Sequence, residues 1–295
     1  MFTIVGLGEI LWDFLPTGRQ LGGAPTNFAY MSHLLGNRAV VASRLGKDDL
    51  GAEATERLKS LGIDASHLQR DASHPTGTVA VEVRRGGQPR FTIQENVAWD
   101  FLQWSPSWKK LATIADAVCF GTLAQRSPQS RRTIMQFLKH TKAVRVFDVN
   151  LRQHFYSTDV VRGSIALATI VKMNDTELPI VLKLLGLPQD KNPRRLLDLG
   201  PKLVCVTRGS RGSVLFTRRQ TVEHPGFRVR VADTVGAGDA FTAGLAHEYL
   251  RGSSPEHMSD TANRLGSWAA AQSGGTPATN MKSLRRALRV LERKP

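Results

Sequence analysis

The residues best suited to chemistry lie in the stretch 233–244, where Gly236, Ala237 and Gly238 precede Asp239 and an apolar run. The pattern predicts a tight loop that opens into the first turn of a helix. Backbone N–H groups at such a helix start are unpaired and, with the helix dipole behind them, favour an anion such as a phosphate. Asp239 is then either a helix cap or a base that takes a proton from an alcohol attacking a phosphoryl group. The stretch alone leaves both interpretations open.

A second stretch, 21–29, also places bare backbone before a predicted helix. Gly22 and Gly23 form a turn, and Pro25 suits the first turn of a helix whose apolar residues recur with helical spacing. Asn27, one turn into this helix, offers both a donor and an acceptor, so the stretch fits the polar groups of a ligand. The alternative is an ordinary glycine turn in which Asn27 only caps the helix or faces solvent.

The chain has 295 residues and a formal net charge of +15, from 40 Lys and Arg against 25 Asp and Glu. This length fits one large domain with an appendage. The basic residues are scattered except in the segment 282–294, whose spacing is typical of a solvated helix face, so we expect no nucleic acid partner. A basic surface would instead attract small polyanions such as nucleotides.

The cysteines and the N-terminal residues indicate the compartment. Cys119 and Cys205 each lie inside an apolar run, which predicts buried free thiols on strands. The chain begins with a strand-like segment and shows neither a signal-peptide pattern nor an apolar run of membrane-spanning length. We therefore expect a cytoplasmic protein without a membrane partner.

Most of the chain alternates apolar strands with helices. The predicted strands are 2–7, 38–45, 117–121, 144–149, 170–173 and 203–207, and predicted helices begin near residues 25, 48, 127, 175, 192 and 254. Strands that are apolar throughout are typical of a sheet covered on both faces. The predicted fold class is therefore α/β, a doubly wound and mostly parallel sheet flanked by helices, in a single domain spanning 1–295.

One region has a different period. Segments 78–83 and 90–93 alternate with period two around a turn at Gly86 and Gly87, which predicts a β-hairpin. A lone hairpin is too small to be stable, so we expect it to join the segment 11–21 in a small sheet that acts as a lid, formed by about 11–21 and 76–98. An apolar face without a partner predicts a homodimer through lid-to-lid packing. The residues expected to contribute are Val79, Val81 or Phe91.

Polar residues follow three predicted strands of the main sheet. They are Asp148, Asn150 and Arg152, then Asn174, Asp175 and Glu177, then Thr207, Gly209 and Gly212. Because the carboxyl ends of parallel strands meet at one edge, we expect a polar, glycine-rich crevice there.

Several of these stretches resemble the signatures of the ribokinase-like (PfkB) sugar kinases. Residues 22–29 resemble the N-terminal signature, and residues 233–241 closely resemble the C-terminal signature. Residues 171–177 are similar to the N-x-x-E motif of the family, and residues 206–212 to its nucleotide-side turn. The resemblance covers nearly the whole chain in the right order. It implies a ribokinase-like fold in which Asp239 is the catalytic base of an ATP-dependent phosphoryl transfer.

The resemblance also implies roles for individual residues. The transferring phosphoryl group would be held by Gly236, Ala237 and Gly238. The sugar would be contacted by Asp13, Gly22, Gly23, Asn27, Glu95, Asn150 and Arg152. The nucleotide would be contacted by Lys172, Asn174, Thr207, Gly209, Gly212 and Asn263. Asn174 and Glu177 would order Mg²⁺ through water, with ATP as the co-substrate. A monovalent cation such as K⁺ is left as an optional activator, because segment 273–276 departs from the usual cation loop of the family.

Within the family, segments 8–13, 95–100 and 148–152 look most like bacterial fructokinases, although Val149 stands where fructokinases usually carry Pro. The resemblance therefore implies transfer of the γ-phosphoryl group to a hydroxymethyl group of fructose. A 2-keto-3-deoxygluconate kinase or a ribokinase would use the same core and is the alternative. From other classes, a nucleotide-binding regulator would not need Asp239, and a nucleic-acid-binding protein would use the basic C-terminal helix.

Overall fold

The computed structural model describes residues 1–15, 18–83, 89–190 and 192–294, with the backbone alone at 81–83 and 89–91. The strands, in chain order, are β1 Thr3–Leu7, β2 Leu11–Leu15, β3 Gly18–Gly22, β4 Arg38–Ala42, β5 Arg44–Gly46, β6 Gln69–Asp71, β7 Gly77–Val83, β8 Pro89–Ile93, β9 Ala117–Phe120, β10 Val144–Asp148, β11 Ile170–Asn174, β12 Leu203–Thr207, β13 Ser213–Phe216 and β14 Thr221–His224. The α-helices are α1 Ala24–Leu34, α2 Asp49–Ser60, α3 Pro106–Ile114, α4 Pro128–His140, α5 Thr158–Leu167, α6 Glu177–Leu185, α7 Ala237–Leu250, α8 Pro255–Ala270 and α9 Met281–Arg289.

The central sheet has the strand order β14-β13-β12-β11-β10-β9-β1-β4 within the described residues. All pairs from β12 to β4 are parallel, and the two strands at the far edge are antiparallel. The chain runs from β1 outward to β4 and then returns to β9, so the winding direction reverses between β1 and β9. Ligands of open α/β sheets bind at such a reversal, beyond the carboxyl ends of the strands. The predicted doubly wound, mostly parallel sheet is confirmed.

Two hydrophobic cores cover the two faces of this sheet. Alternate residues of one strand enter different cores, so that Val5 of β1 packs in one and Ile4 in the other. The first core takes its helical side chains from α3, α4, α5 and α6, and the second takes them from α1, α2, α7, α8 and α9. This double covering explains why the strands are apolar along their whole length. It also fixes α1 and α7 on the same face.

The predicted small sheet is present, with the strand order β3-β2-β7-β8. Trp12 ties it to the body through a hydrogen bond from Nε1 to the carbonyl of Leu50 (3.0 Å). Val79, however, is 5% exposed and packs into the first core, so the prediction that it contacts a second copy is wrong. The sequence pattern did not reveal that the body of the same chain covers this side chain. The side chains of Val81 and Phe91, and the predicted turn at Gly86 and Gly87, lie outside the described residues.

Three predicted elements differ from the structure. The strand expected at 38–45 is divided at Ser43 into β4 and β5, because β1 ends at Leu7 and offers no partner beyond Ala42. Helix α6 begins at Glu177 rather than at residue 175, since the Asn174 side chain accepts a hydrogen bond from the Glu177 N–H (2.8 Å). The helix predicted after residue 192 is a short 3₁₀ segment.

The predicted state of the cysteines is confirmed, since Cys119 and Cys205 are buried free thiols on β9 and β12. Among the helices of the described ranges, none has both the length and the apolar character needed to cross a bilayer.

Candidate active site

The two glycine-rich stretches meet at Asp239. Gly236 precedes α7 in a left-handed conformation (φ 76°), and Asp239 follows in the first turn of the helix. Asn27 of α1 donates a hydrogen bond from Nδ2 to Asp239 Oδ2 at 2.8 Å, although the two residues are 212 positions apart. The packing of α1 and α7 on one face of the sheet makes this contact possible. Asp239 thus has a polar partner from the predicted sugar side and lies beside the predicted phosphoryl loop.

The backbone N–H groups at the start of α7 are mostly unengaged. Ala237 N–H donates to the Thr234 carbonyl (3.2 Å), which differs from its predicted role as an anion donor. The N–H groups of Gly236, Gly238 and Asp239 have no acceptor within the described part of the chain. These three donors are therefore free to bind an anion at the positive end of the helix.

A buried ion pair lies beneath this loop. Lys172 Nζ is 3.1 Å from Asp148 Oδ2, and Thr242 of α7 donates to the same oxygen at 2.9 Å. A Cβ placed on Gly238 would be 2.9 Å from Lys172 Nζ, so the ammonium group lies directly under the loop. Burial alone would lower the pKa of Lys172, but the carboxylates of Asp148, Glu177 and Asp239 outweigh it and raise that pKa above its usual range. Lys172 is therefore a fixed positive charge below the crevice.

The environment tunes Asp239 toward neutral pH. Removal from bulk water and the neighbouring Asp148 carboxylate raise the pKa of Asp239 to about 6, against the lowering effects of Asn27, Lys172 and Arg152. A general base works best when its pKa lies near the operating pH. At pH 7 most of the Asp239 carboxyl groups are ionised and able to accept a proton.

Two further acids lie on the sugar side. Burial raises the pKa of Asp13 to about 6, and Arg152 lowers it in part. Glu9 follows β1 and is 2% exposed, and burial raises its pKa to about 7, with Asp239 adding to the rise and Arg152 opposing it. Arg152 lowers the pKa of Glu9, of Asp13 and of Asp239. These three acids and this cation therefore lie close together in one crevice.

The remaining predicted sugar residues divide between two places. Gly22 abuts the Asp13 carboxylate, and Gly23 is the N-cap of α1 (φ 100°), so both belong to the crevice. Asn150 follows β10 with a positive φ of 41°. Glu95 instead lines a separate cleft of about 940 Å³ with Arg126 and other residues. Among the described residues, no hydrogen bond or ion pair joins Glu95 to Asp13, Asn27 or Asp239, and none of those three lines its cleft.

A cavity of about 250 Å³ adjoins the start of α7 and contains four predicted nucleotide residues, which are Thr207, Gly209, Gly212 and Asn263. Ala237 and Gly238 line the same cavity, so the nucleotide side and the phosphoryl loop are continuous. The Asn263 amide nitrogen donates to the Ser213 hydroxyl and the Ser259 carbonyl. Apolar walls come from Phe227, Val229 and Val231.

Asn174 and Glu177 connect two strand ends. Glu177 Oε1 accepts from the Leu151 N–H and its Oε2 accepts from the Asn174 N–H, both at 2.8 Å. Burial raises the pKa of Glu177, although Lys172 opposes the rise. Across the described ranges no three His, Cys, Asp or Glu side chains gather as a protein-held metal would require. The Asn174 amide and the Glu177 carboxylate would fit a Mg²⁺ ion that keeps most of its water, since oxygen groups are the ligands that this ion prefers.

Sequence reasoning missed several residues of this site. Thr242 could have been predicted, because it lies three positions after Asp239 and is therefore its neighbour on the surface of the same helix. Glu9 and the cavity walls at 227–231 could not, since their roles depend on contacts between distant segments.

Comparison with known proteins identifies the family. The sequence matches the pfkB family carbohydrate kinases over residues 17–281. A fructokinase of Escherichia coli is 30% identical, with 92% of this chain and 94% of the relative covered. A fructokinase of Vibrio cholerae, solved with fructose, ADP and calcium, is 25% identical with a TM-score of 0.82, covering 98% of this chain and 99% of that one. A fructokinase of Xylella fastidiosa with bound ATP has a TM-score of 0.84 at 21% identity, covering 97% and 98%. This chain therefore belongs to the pfkB family and is a carbohydrate kinase with the ribokinase-like fold.

Proposed function

We propose that this kinase transfers the γ-phosphoryl group of ATP to a hydroxymethyl group of fructose, with Asp239 as the base. The observation that carries the proposal is the hydrogen bond between Asn27 and Asp239, because it joins a sugar-side helix to the phosphoryl loop. The hydroxyl oxygen forms a bond to the γ-phosphorus, the bond from that phosphorus to the bridging oxygen of ADP breaks, and the hydroxyl proton passes to Asp239.

The charge that develops on the phosphoryl group is met by preorganised donors. The free N–H groups of Gly236, Gly238 and Asp239 lie at the positive end of α7. Lys172 below the loop adds a fixed positive charge. Such donors stabilise a transition state without reorganising during the reaction, and each contributes on the order of 10²–10³ in rate where it has been removed from an enzyme.

The sugar is bound by the opposite wall of the crevice. Asn27 Oδ1 is buried and has no hydrogen-bond partner among the described residues, although its Nδ2 is engaged by Asp239. A buried unpaired acceptor costs about 1–3 kcal/mol, which a sugar hydroxyl would recover. Asp13, Gly22, Gly23 and Arg152 complete this wall, and fructose is favoured by the fructokinases among the relatives.

Asn174 and Glu177 would hold the waters of a Mg²⁺ ion bound to the phosphates of ATP. When bound, the ion neutralises phosphate charge. Potassium activation is tested by replacing K⁺ with tetramethylammonium at constant ionic strength.

The buried free thiols at Cys119 and Cys205 support a cytoplasmic location, where thiols stay reduced.

The small sheet acts as a lid and as a dimer contact in this proposal. Phe14 on β2 is 40% exposed and supplies an apolar surface for a second copy. Sedimentation at micromolar concentration tests the assembly, and a monomer there would remove the dimer from the account without affecting the chemistry.

The experiment for substrate choice is a coupled ADP-release assay over a panel of sugars, with Asp239→Asn as the blank for contaminating kinases. We expect fructose to give the highest kcat/KM. A higher value for ribose or for 2-keto-3-deoxygluconate would replace fructose in the proposal. Activity on none of the sugars would reject it.

A further inference from the structure

The backbone of segment 273–276 contacts both Asn27, on the predicted sugar side of the crevice, and the phosphoryl loop at Gly236. A Cβ placed on Gly275 would lie 2.5 Å from Cγ and Nδ2 of Asn27, which is far inside van der Waals contact. A Cβ placed on Gly236 would lie 2.6 Å from the Gly275 Cα. The Gly275 backbone therefore lies against the Asn27 amide on one side and the phosphoryl loop on the other, with no room for a side chain.

Two other contacts fix this segment in place. The Gly274 N–H donates to Asp233 Oδ2 (3.0 Å), and the other oxygen of that carboxylate accepts from the Val235 N–H (3.0 Å). Gln20 of β3 lies over Gly274, since a Cβ there would collide with its side-chain oxygen and lie 3.1 Å from its Cδ. Gln20 is paired across the strands with Asp13. The small sheet thus reaches the same backbone that supports Asn27.

We propose that Gly275 is a positioning residue, whose bare backbone holds the Asn27 amide in the orientation that donates to Asp239, and that Gln20 couples the small sheet to this support. The inference rests on the proposed role of Asp239. Its physical basis is that a methyl group on Gly275 would overlap the Asn27 amide group, whose Cγ and Nδ2 would lie 2.5 Å from the added carbon. The Asn27 amide must therefore leave the position from which Nδ2 donates to Asp239 at 2.8 Å.

The test compares Gly275→Ala with Gly163→Ala, a glycine of α5 whose added Cβ would meet nothing nearer than the Met135 Cε at 3.5 Å. Displacing a catalytic contact by about 1 Å costs up to about 10²-fold, so we expect kcat of Gly275→Ala to fall by roughly 10–100-fold. We also expect its sugar KM to rise and its ATP KM to stay near the wild-type value. Gly163→Ala should retain wild-type kinetics.

A second readout separates positioning from general damage. Asn27 holds down the pKa of Asp239, while Asp148, Lys172 and Arg152 around it are unchanged, so the acid limb of kcat/KM should move to higher pH in Gly275→Ala. In an Asn27→Ala background the clash is absent. There the Gly275→Ala change should cost less than about threefold, because the two changes act on one contact and are not additive.

The outcomes are distinguishable from failure of the proposed function. The inference is overturned if the wild-type protein phosphorylates sugars and Gly275→Ala is equally active. It is also overturned if Gly275→Ala lowers kcat by the same factor in the wild-type background and in the Asn27→Ala background. If Gly275→Ala does not accumulate as folded protein, the double variant with Asn27→Ala must do so, because the overlap with the Asn27 amide is then removed. A double variant that also fails to accumulate as folded protein overturns the inference. Gln20→Ala should raise the sugar KM alone, and an equal rise in the ATP KM would remove Gln20 from it.

Discussion

Replacing Lys172 by Met tests the electrostatics beneath the phosphoryl loop. Lys172 is 7% exposed, and its ammonium nitrogen lies 3.1 Å from Asp148 Oδ2. Coulomb's law with an effective dielectric constant of about 20 gives an attraction of about 5 kcal/mol at that distance. Lys172→Met leaves the Asp148 carboxylate buried with Thr242 as its remaining side-chain partner, so the free energy of unfolding should fall by about 3–5 kcal/mol.

The same change should move the pH dependence of the reaction. Lys172 lowers the pKa of Asp239 and Asp148 raises it. The acid limb of kcat/KM, expected near pH 6 in the wild-type enzyme, should therefore move up in Lys172→Met and down in Asp148→Asn. The double variant removes both charges, so its limb should lie between those of the single variants, and part of the lost stability should return.

Urea unfolding and pH–rate profiles of the two single variants and the double variant measure these effects. Limbs that shift in the same direction in both single variants would refute the electrostatic reasoning. If Lys172 instead contacts the nucleotide directly, Lys172→Met would raise the ATP KM about tenfold or more while the acid limb stays near pH 6.

The other predictions concern single positions. The pKa of Glu9 is raised from 4.5 to about 7, so the folded state loses stability as pH rises through this window. The free energy of unfolding of Glu9→Gln, measured in urea relative to wild type, should therefore increase by roughly 2–3 kcal/mol from pH 5 to pH 8. A difference that is the same at both pH values would contradict the assignment. Asn27→Ala should raise the sugar KM by about tenfold or more and leave the ATP KM nearly unchanged, whereas equal increases would show that Asn27 does not bind the sugar. Gly212→Ala should raise the ATP KM, because its backbone has φ 77° and its Cβ would lie 2.5 Å from the Gly226 nitrogen. Gly209→Ala, with nothing within 4 Å of its Cβ, is the control with the smaller effect on the ATP KM.

The strands and the helix starts could be predicted because their signals are local. The apolar runs of β1, β10 and β12 and the Ser-Pro start of α4 each carry their own pattern. The family signatures added the order of these elements. Together they were enough to predict the doubly wound sheet and the small second sheet.

The features that could not be predicted depend on distant parts of the chain. Ser43 interrupts a predicted strand only because β1 ends opposite Ala42. Val79 has the alternation of a half-exposed hairpin, but the body of the molecule covers it. The support of Asn27 by Gly275 joins residues at opposite ends of the sequence, and no pattern near either one indicates it.

The same distinction between local and distant signals applies to the predicted site residues. Asp239, Asn27 and the nucleotide-side glycines belong to motifs with fixed spacing, and the structure brings them to one crevice. Glu95 was assigned from a weaker local likeness, and it lines another cleft.

The central claim is that Asp239 accepts the proton of the attacking hydroxyl, and single-turnover phosphorylation of fructose by Asp239→Asn tests it most directly. Asn preserves the size of the side chain and caps helices nearly as well as Asp, so a purely structural Asp239 would leave the rate within a small factor of wild type. The account predicts a rate lower by about 10²–10⁴, with ATP affinity equal to that of wild type or tighter because a negative charge has left the phosphate site. A folded Asp239→Asn protein that phosphorylates fructose at a near-normal rate would contradict the account.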